Sequence, residues 1–127
     1  MTSINPISTP DAPPALGHYS QAVTHGDLIY VSGQLPLDPD NLDNLPTTPA
    51  EQTTQTLKNV QAILKSAGSD KTKVLKAEIY ITKLDDWAEV NRAYAEFFQD
   101  HKPARAAVPV TGLPKGCLVE IAVVAAL

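Results

Sequence analysis

The sequence predicts a single α+β domain whose elements follow the order ββαβαββ. Two stretches of the chain place apolar residues at helical spacing, and each begins with the spacing of a capping box. Five further stretches alternate between apolar and polar positions or are rich in β-branched residues, which is typical of strands. The length of 127 residues suits one domain, residues 1–127, with a hydrophobic core of its own.

The first two strands are predicted at residues 19–23 and 28–35. Residues 25–27 read His-Gly-Asp and supply a turn, so the two strands are expected to form a hairpin. The preceding residues 1–14 are rich in Pro, Ser and Thr, which predicts a loosely held arm. A polar loop that contains three prolines follows at residues 36–48.

The first helix is predicted to begin after Thr48. Thr48 and Glu51 have the spacing of a capping box, and Pro49 occupies the first helical position, where proline is favoured. Gly68 is a typical residue for the C-terminal end of a helix. The apolar stripe of this helix consists of Leu57, Val60, Ile63, Leu64 and Ala67.

The second helix is predicted to follow a β-branched third strand at residues 74–82. Asp86 and Glu89 repeat the capping spacing, and Pro103 prevents further extension of the helix. The stripe is interpreted as a core-facing surface. It consists of Trp87, Val90, Tyr94, Phe97 and Phe98.

The last two strands, at residues 105–110 and 118–125, are predicted to form a simple hairpin around a turn at residues 111–116. Two helices can cover only one face of the resulting sheet. The last strand is nevertheless apolar on both of its faces, as strands buried on both sides tend to be. We therefore expect the uncovered face of the sheet to pack against another subunit.

Glu120 is the only charged residue between Gly116 and Leu127. A carboxylate within an apolar strand is costly unless it is paired or hydrogen-bonded. In the predicted hairpin Ala107 faces Glu120, and Arg105 is a diagonal neighbour on the same face, although a shift of one residue would separate the two charges. The pair is interpreted either as a structural salt bridge or as a site. In a site, Arg105 would bind a carboxylate, while Glu120 would orient a water or transfer a proton.

Composition narrows the class of protein. The net charge is −4 and the ten basic residues are scattered, which argues against nucleic acid as the main partner. The single cysteine, Cys117, excludes an internal disulfide and indicates a reducing compartment. Neither a membrane-spanning stretch nor a secretory signal is recognisable, so the protein is expected in the cytoplasm, with a mitochondrial location left open. The three histidines lack the spacing of metal ligands, and neither a metal nor a cofactor is expected.

Six short motifs together resemble the RidA/YjgF/UK114 family. Each motif is weak evidence for the family by itself. Their joint occurrence, in order and at suitable spacing over nearly the whole chain, is specific for the family. They are APPALGHYSQA at residues 12–22, YVSGQLP at 30–36, QTLKNV at 55–60, VNRAYAEFF at 90–98, PARAAV at 103–108 and LVEI at 118–121.

The resemblance implies a chorismate-mutase-like fold and a homotrimer, with three sheets forming an inner barrel and three clefts between subunits. It also implies an activity, the hydrolytic deamination of reactive 2-imino or enamine acids to 2-keto acids and ammonia. 2-Iminopropanoate and 2-iminobutanoate are substrates of this type. By position, Arg105 would hold the substrate carboxylate and Glu120 would position the attacking water.

The resemblance also implies a set of binding residues. Gly33 and the backbone of Ala107 would contact the ligand, while Tyr19, Ser32 and Asn91 would line or organise the cleft. Many family members have cysteine at the position of Ala107; alanine preserves a contact made by the backbone N–H but loses any role of the thiol. Ordinary structural roles are left open, with Ser32 bonded to a neighbouring strand, Tyr19 packed as an aromatic and Asn91 tying a loop.

Two other functions are left open by the sequence. The same trimeric cleft would also suit a non-catalytic binder or chaperone for small carboxylates or client proteins. Ribonuclease activity or inhibition of translation, attributed to some relatives, is disfavoured by the acidic charge. The segment 99–102 is shorter than in many relatives, and it is expected to border the cleft and to influence the range of substrates.

Overall fold

A six-stranded mixed sheet, with two helices on one face, forms the framework of the computed structural model, which describes residues 2–127. The α+β fold class is therefore confirmed. The strands are β1 (Ile4–Ile7), β2 (Ala22–His25), β3 (Leu28–Gln34), β4 (Val74–Ile81), β5 (Ala104–Pro109) and β6 (Val119–Ala126). The helices are α1 (Pro49–Ser66) and α2 (Trp87–Phe98).

The predicted loose arm is wrong, because β1 pairs antiparallel with β2 at the edge of the sheet. The buried side chain of Gln21 anchors the residues that follow β1. Its amide oxygen accepts from the Thr9 N–H at 2.7 Å, and its amide nitrogen donates to the Thr9 carbonyl at 3.0 Å and to the Pro13 carbonyl at 2.8 Å. Composition alone did not predict that this segment is ordered, because the segment is held by the Gln21 side chain, 12 residues after Thr9.

The predicted hairpin of the last two strands is also wrong. The strand order is β1-β2-β3-β6-β4-β5, so β4 lies between β5 and β6. Strands β4 and β5 are parallel and are connected by α2, whereas β6 pairs antiparallel with both β3 and β4. A helix between two strands favours this parallel βαβ arrangement, and it leaves β5 at a free edge of the sheet.

The capping box predicted for α1 is confirmed. The Thr48 hydroxyl accepts from the Glu51 N–H at 3.1 Å and donates to the Glu51 carboxylate at 2.8 Å. The corresponding cap predicted for α2 is not formed, since the Asp86 side chain makes no capping hydrogen bond. A short 3₁₀ turn, Leu84–Asp86, precedes α2 instead and sets its direction.

The core lies between the two helices and one face of the sheet. On β6 the buried and half-buried residues alternate, so one face of the strand packs on the helices and the other face is open. The prediction that the helices cover only one face is confirmed, while a subunit on the open face stays a prediction. The largest fully buried apolar side chains are those of Ile29, Leu57, Val60, Ile63, Leu64, Val74, Ile79, Ile81, Val90, Val119 and Ile121. Among the described residues, no helix combines the length and the apolar character that crossing a bilayer requires.

Candidate functional site

Arg105 and Glu120 lie on opposite faces of the sheet. Arg105 pairs with Ala77, whose side chain is buried under the helices, whereas Glu120 pairs with Tyr80 on the open face. The expected diagonal contact between the two charges is therefore wrong, and within residues 2–127 they form no salt bridge. Each charge instead belongs to a separate surface, which we call the Glu120 cleft and the Arg105 edge.

The Glu120 cleft is a cavity of about 540 Å³ on the open side of the sheet. Tyr19, Ser32, Gly33 and Glu120, which the sequence singled out, all line it together with Lys115. The structure therefore brings together four of the predicted site residues. Their roles in binding or catalysis stay predictions.

A β-bulge places Ser32 and Gly33 beside Glu120. Val31 pairs with Val123 and Gln34 with Ile121, so three steps along β3 correspond to two along β6. A Cβ atom on Gly33 would lie 2.5 Å from an Oε atom of the Glu120 carboxyl. Any side chain larger than that of glycine at position 33 would therefore displace the Glu120 carboxyl.

The loop before β2 forms the outer wall of the Glu120 cleft. The Ser32 hydroxyl donates to the Ser20 carbonyl at 2.6 Å, which is a bond to this loop and not to a strand. The Tyr19 hydroxyl accepts from the Leu16 N–H at 3.3 Å, and half of the Tyr19 side chain is exposed. Tyr19 is thus held by its own loop and presents part of its ring to the cleft.

The carboxyl of Glu120 is half-buried in the wall of its cleft. Burial raises the pKa of its carboxyl above the ordinary value, and in the described part of the chain this carboxyl accepts no hydrogen bond. The Tyr80 hydroxyl on the neighbouring strand donates to Glu78 at 2.6 Å, which raises the pKa of Tyr80, and the Glu120 charge adds to the effect. Burial also raises the pKa of the Cys117 thiol, so this cysteine is a poor nucleophile.

The Arg105 edge is built from β5 and one face of α2. The Arg105 guanidinium carbon lies 5.0 Å from the ring centroids of both Trp87 and Tyr94, which is cation–π distance. Asn91 lies between these two rings along the helix and lines a cavity of about 300 Å³ beside Arg105. No carboxylate in residues 2–127 is within salt-bridge distance of the guanidinium. The aromatic rings therefore fix the direction of Arg105 without neutralising its charge.

Backbone donors of β5 face away from the sheet next to Arg105. The Val110 N–H donates to the Ile81 carbonyl at 2.8 Å, and along a parallel strand alternate residues point their N–H groups to opposite sides. The N–H groups of Arg105 and Ala107 therefore lie at the free edge. Ala107 pairs with Ile79 and not with Glu120, and its backbone donor is next to the arginine. A contact of this donor with a ligand stays a prediction.

Two residues at the Arg105 edge were not predicted from the sequence to contact the arginine. The interpretation of both as core residues is confirmed, since Tyr94 belongs to the buried core and Trp87 packs against it. Their rings also contact the arginine, which the sequence did not indicate. Their spacing to Asn91, four residues after Trp87 and three before Tyr94, places all three on one helical face and was the available signal. Asn91 lies at this edge, away from the other cleft residues. The segment 99–102 borders the same cavity through Gln99, His101 and Lys102.

Comparison with known proteins identifies the family to which this fold belongs. Residues 9–127 match the family model described as endoribonuclease L-PSP. The RutC family protein y4sK of Sinorhizobium fredii is 50% identical over 124 residues, covering 98% of both chains. The 2-iminobutanoate/2-iminopropanoate deaminase of Rattus norvegicus is 46% identical over 119 residues, covering 94% of this chain and 87% of that protein.

Solved structures agree with these relatives. The YyfA protein of Yersinia pestis, described as a conserved Rid family protein of unknown function, superimposes with a TM-score of 0.95 at 43% identity, covering 98% of this chain and 100% of that one. Escherichia coli TdcF with bound serine gives a TM-score of 0.93 at 36% identity, covering 97% and 98%. The chain belongs to the RidA/YjgF family, and the resemblance drawn from its motifs is confirmed. Members of this family at 44–47% identity are named imine deaminases, while other relatives bear other names.

Proposed function

We propose that the protein hydrolyses 2-imino acids to 2-keto acids and ammonia at sites shared between subunits of a homotrimer. Each site would combine the Arg105 edge of one subunit with the Glu120 cleft of the next. The observation that carries this proposal is the separation of two unpaired charged groups onto opposite faces of one sheet. Within residues 2–127, the lining of the Glu120 cleft contains no arginine, and the lining of the cavity beside Arg105 contains no carboxyl group.

The free edge of β5 supports association through this strand. All six residues of β5 are exposed, although five of them are Ala, Val or Pro. An exposed apolar edge strand is a liability in an isolated subunit and is normally covered. A contact between two different surfaces is heterologous, and it forms a ring when the rotation between neighbouring subunits closes. A ring of three subunits would be the trimer implied by the family resemblance.

The groups of the Arg105 edge suit the substrate carboxylate. A guanidinium presents a planar fork that matches a carboxylate in a bidentate contact. The outward N–H of Ala107 adds a backbone donor on the same edge. Because the aromatic rings of Trp87 and Tyr94 hold the arginine, little rotational freedom is lost when the ligand binds.

The groups of the Glu120 cleft suit the hydrolytic step. The carbon of a protonated imine is electrophilic, so the main requirement is an oriented water. The Glu120 carboxylate would accept a proton from this water as the new C–O bond forms. The resulting carboxylic acid would then return the proton to the amino nitrogen of the tetrahedral intermediate. As the C–N bond breaks, the regenerated carboxylate would accept the hydroxyl proton so that the C=O bond of the keto acid forms, and this proton would leave with the ammonia as ammonium. A pKa raised by burial suits a group that both accepts and returns a proton.

A direct assay tests the activity. A dehydratase would generate 2-aminoacrylate or 2-iminobutanoate, and the release of the keto acid would be followed with and without the protein. We expect acceleration of release by the wild-type protein and its loss in Arg105→Ala, with the oligomer intact. Absence of any acceleration by the wild type would reject the activity.

Mixing two inactive variants tests the shared site. Arg105→Ala and Glu120→Gln chains would be combined by co-expression so that they form mixed oligomers. In a ring where each site uses Arg105 of one subunit and Glu120 of the next, roughly a quarter of the sites regain both residues at equal mixing. Recovery of activity is therefore expected, whereas a site contained within one subunit would show none.

A binder without catalysis is the second candidate. The structure of TdcF with bound serine favours it, since serine is a small carboxylic acid held by a protein of this fold. Tight binding of 2-ketobutyrate in calorimetry, combined with a failed deaminase assay, would favour the binder. An RNA partner has little support, because the net charge is −4 and Lys115 is the one cation lining the Glu120 cleft in the described chain.

A further inference from the structure

The hydroxyl of Tyr94 is buried and unpartnered. Tyr94 is 5% exposed, and in residues 2–127 its hydroxyl makes no hydrogen bond. A buried polar group without a partner destabilises the folded chain. The ring alone would pack equally well as phenylalanine, since it lies 4.7 Å from the Phe98 ring and 5.0 Å from the Arg105 guanidinium carbon. Packing therefore accounts for the ring and leaves the hydroxyl unexplained.

The position of Tyr94 points to the ligand of Arg105. Tyr94, Asn91 and Arg105 line the same cavity of about 300 Å³. Burial raises the pKa of the Tyr94 hydroxyl, and the nearby Arg105 charge opposes this only in part, so the hydroxyl is a donor at neutral pH. A carboxylate offers about four acceptor positions, of which a guanidinium fork and the Ala107 N–H use only three.

We propose that Tyr94 is a ligand-binding residue whose hydroxyl donates a hydrogen bond to the carboxylate held by Arg105. Its ring holds the guanidinium, and its hydroxyl completes the set of donors at the Arg105 edge. The proposal rests on the proposed function only in that Arg105 binds a carboxylate. It adds a residue to which the family resemblance assigned no role in binding.

Tyr94→Phe tests the proposal because it removes the hydroxyl and keeps the ring. Binding of 2-ketobutyrate would be measured by calorimetry, and thermal unfolding would be measured without ligand. A hydrogen bond to a charged group predicts roughly ten- to hundredfold weaker binding. Because the buried hydroxyl has no partner in the free protein, thermal stability should be unchanged or higher.

Thr56→Val is the matched control. Thr56 lies on α1 with 0% exposure, and its hydroxyl is also buried without a partner. Removal of this hydroxyl should affect stability in the same direction as Tyr94→Phe, while binding of 2-ketobutyrate stays at the wild-type level. The pair of variants thus separates a ligand-binding hydroxyl from a hydroxyl that is merely buried.

Three results would overturn the proposal. The first is binding by Tyr94→Phe within twofold of wild type, and the second is an equal loss of binding in Thr56→Val. The third is weaker association of subunits in Tyr94→Phe by sedimentation, which would assign the hydroxyl to the subunit contact. Failure of the proposed function is distinguishable, since wild-type chains that bind 2-ketobutyrate but do not hydrolyse imines would reject only the deaminase activity.

Discussion

At the scale of single residues, the place of the Glu120 carboxyl depends on the missing side chain of Gly33. A Cβ there would lie 2.5 Å from one carboxyl oxygen and 2.9 Å from the carboxyl carbon. Gly33→Ala should therefore displace Glu120 and lower kcat/KM for imine hydrolysis by about tenfold or more, since small misplacements of catalytic groups cost large factors in rate. Kinetics together with thermal unfolding would check this.

Gly112→Ala is a suitable control for this variant. Gly112 lies in the turn after β5, and a Cβ built on it meets nothing within 4 Å. It should leave both rate and stability near wild type. Equal rates for Gly33→Ala and wild type would contradict a role of Gly33 in placing Glu120.

The stability of the chain should depend on pH through Glu120. Because burial raises the pKa of this carboxyl above its ordinary value of 4.5, the folded chain binds the proton more tightly than the unfolded chain. Between the two pKa values the free energy of unfolding contributed by Glu120 therefore falls as pH rises. Glu120→Gln lacks this dependence, so its stability relative to wild type should increase as the pH rises above about 4.5 in urea titrations. Identical pH slopes in the two proteins would refute the effect.

At the scale of elements, two amide side chains of α1 hold the loop that follows β3. Asn59 is 1% exposed and donates to the Leu35 carbonyl at 3.0 Å and the Leu37 carbonyl at 2.8 Å. Gln52 donates to the Pro46 carbonyl at 2.8 Å and accepts from the N–H of the residue before β6, also at 2.8 Å. Since Leu35 and Leu37 line the Glu120 cleft, α1 fixes one wall of that cleft.

Asn59→Leu tests the hydrogen bonds from Asn59 to the loop that follows β3. It keeps the approximate size of the side chain but leaves two carbonyls of the loop without their donor. Unsatisfied buried groups cost about 1–3 kcal/mol each, so the free energy of unfolding in urea should fall by about 2 kcal/mol or more. Thr54→Ala, at an exposed position of the same helix, should change it by less than about 0.5 kcal/mol. A loss in Asn59→Leu as small as in this control would show that the loop is held by other contacts.

The positions of the helices could be predicted from the sequence, whereas the pairing of the last two strands could not. Apolar periodicity located both helices and the capping box located the start of α1, because these signals are local. The pairing of β5 was not local: residues 111–116 favour a hairpin with β6, whereas α2 carries the chain across to a parallel position beside β4. Arg105 and Glu120 were identified as important by their chemistry and by family motifs. Their relation in space was predicted wrongly because it depended on that pairing.

At the scale of the whole molecule, the sheet has two free edges, and they differ in character. The edge at β1 is four residues long, of which Ile4, Asn5 and Pro6 are exposed and Ile7 is half-buried. The edge at β5 is exposed along its full length, presents Val108 on the open face and Arg105 on the other, and has outward backbone donors. The burial of apolar surface together with edge pairing makes β5 the better candidate for the subunit contact.

Val108→Asp tests which edge associates. A carboxylate on the open face of β5 would be desolvated without a partner in the assembly, which costs several kcal/mol per ion after relaxation. Sedimentation and light scattering should show dissociation to monomers, and circular dichroism should show a retained fold because Val108 is already 39% exposed in one chain. Imine hydrolysis should be lost together with the assembly, since Arg105 and Glu120 of one chain lie on opposite faces. Ile4→Asp places the same charge on the other edge and should leave both assembly and activity intact; the reverse outcome for the two variants would assign the contact to β1.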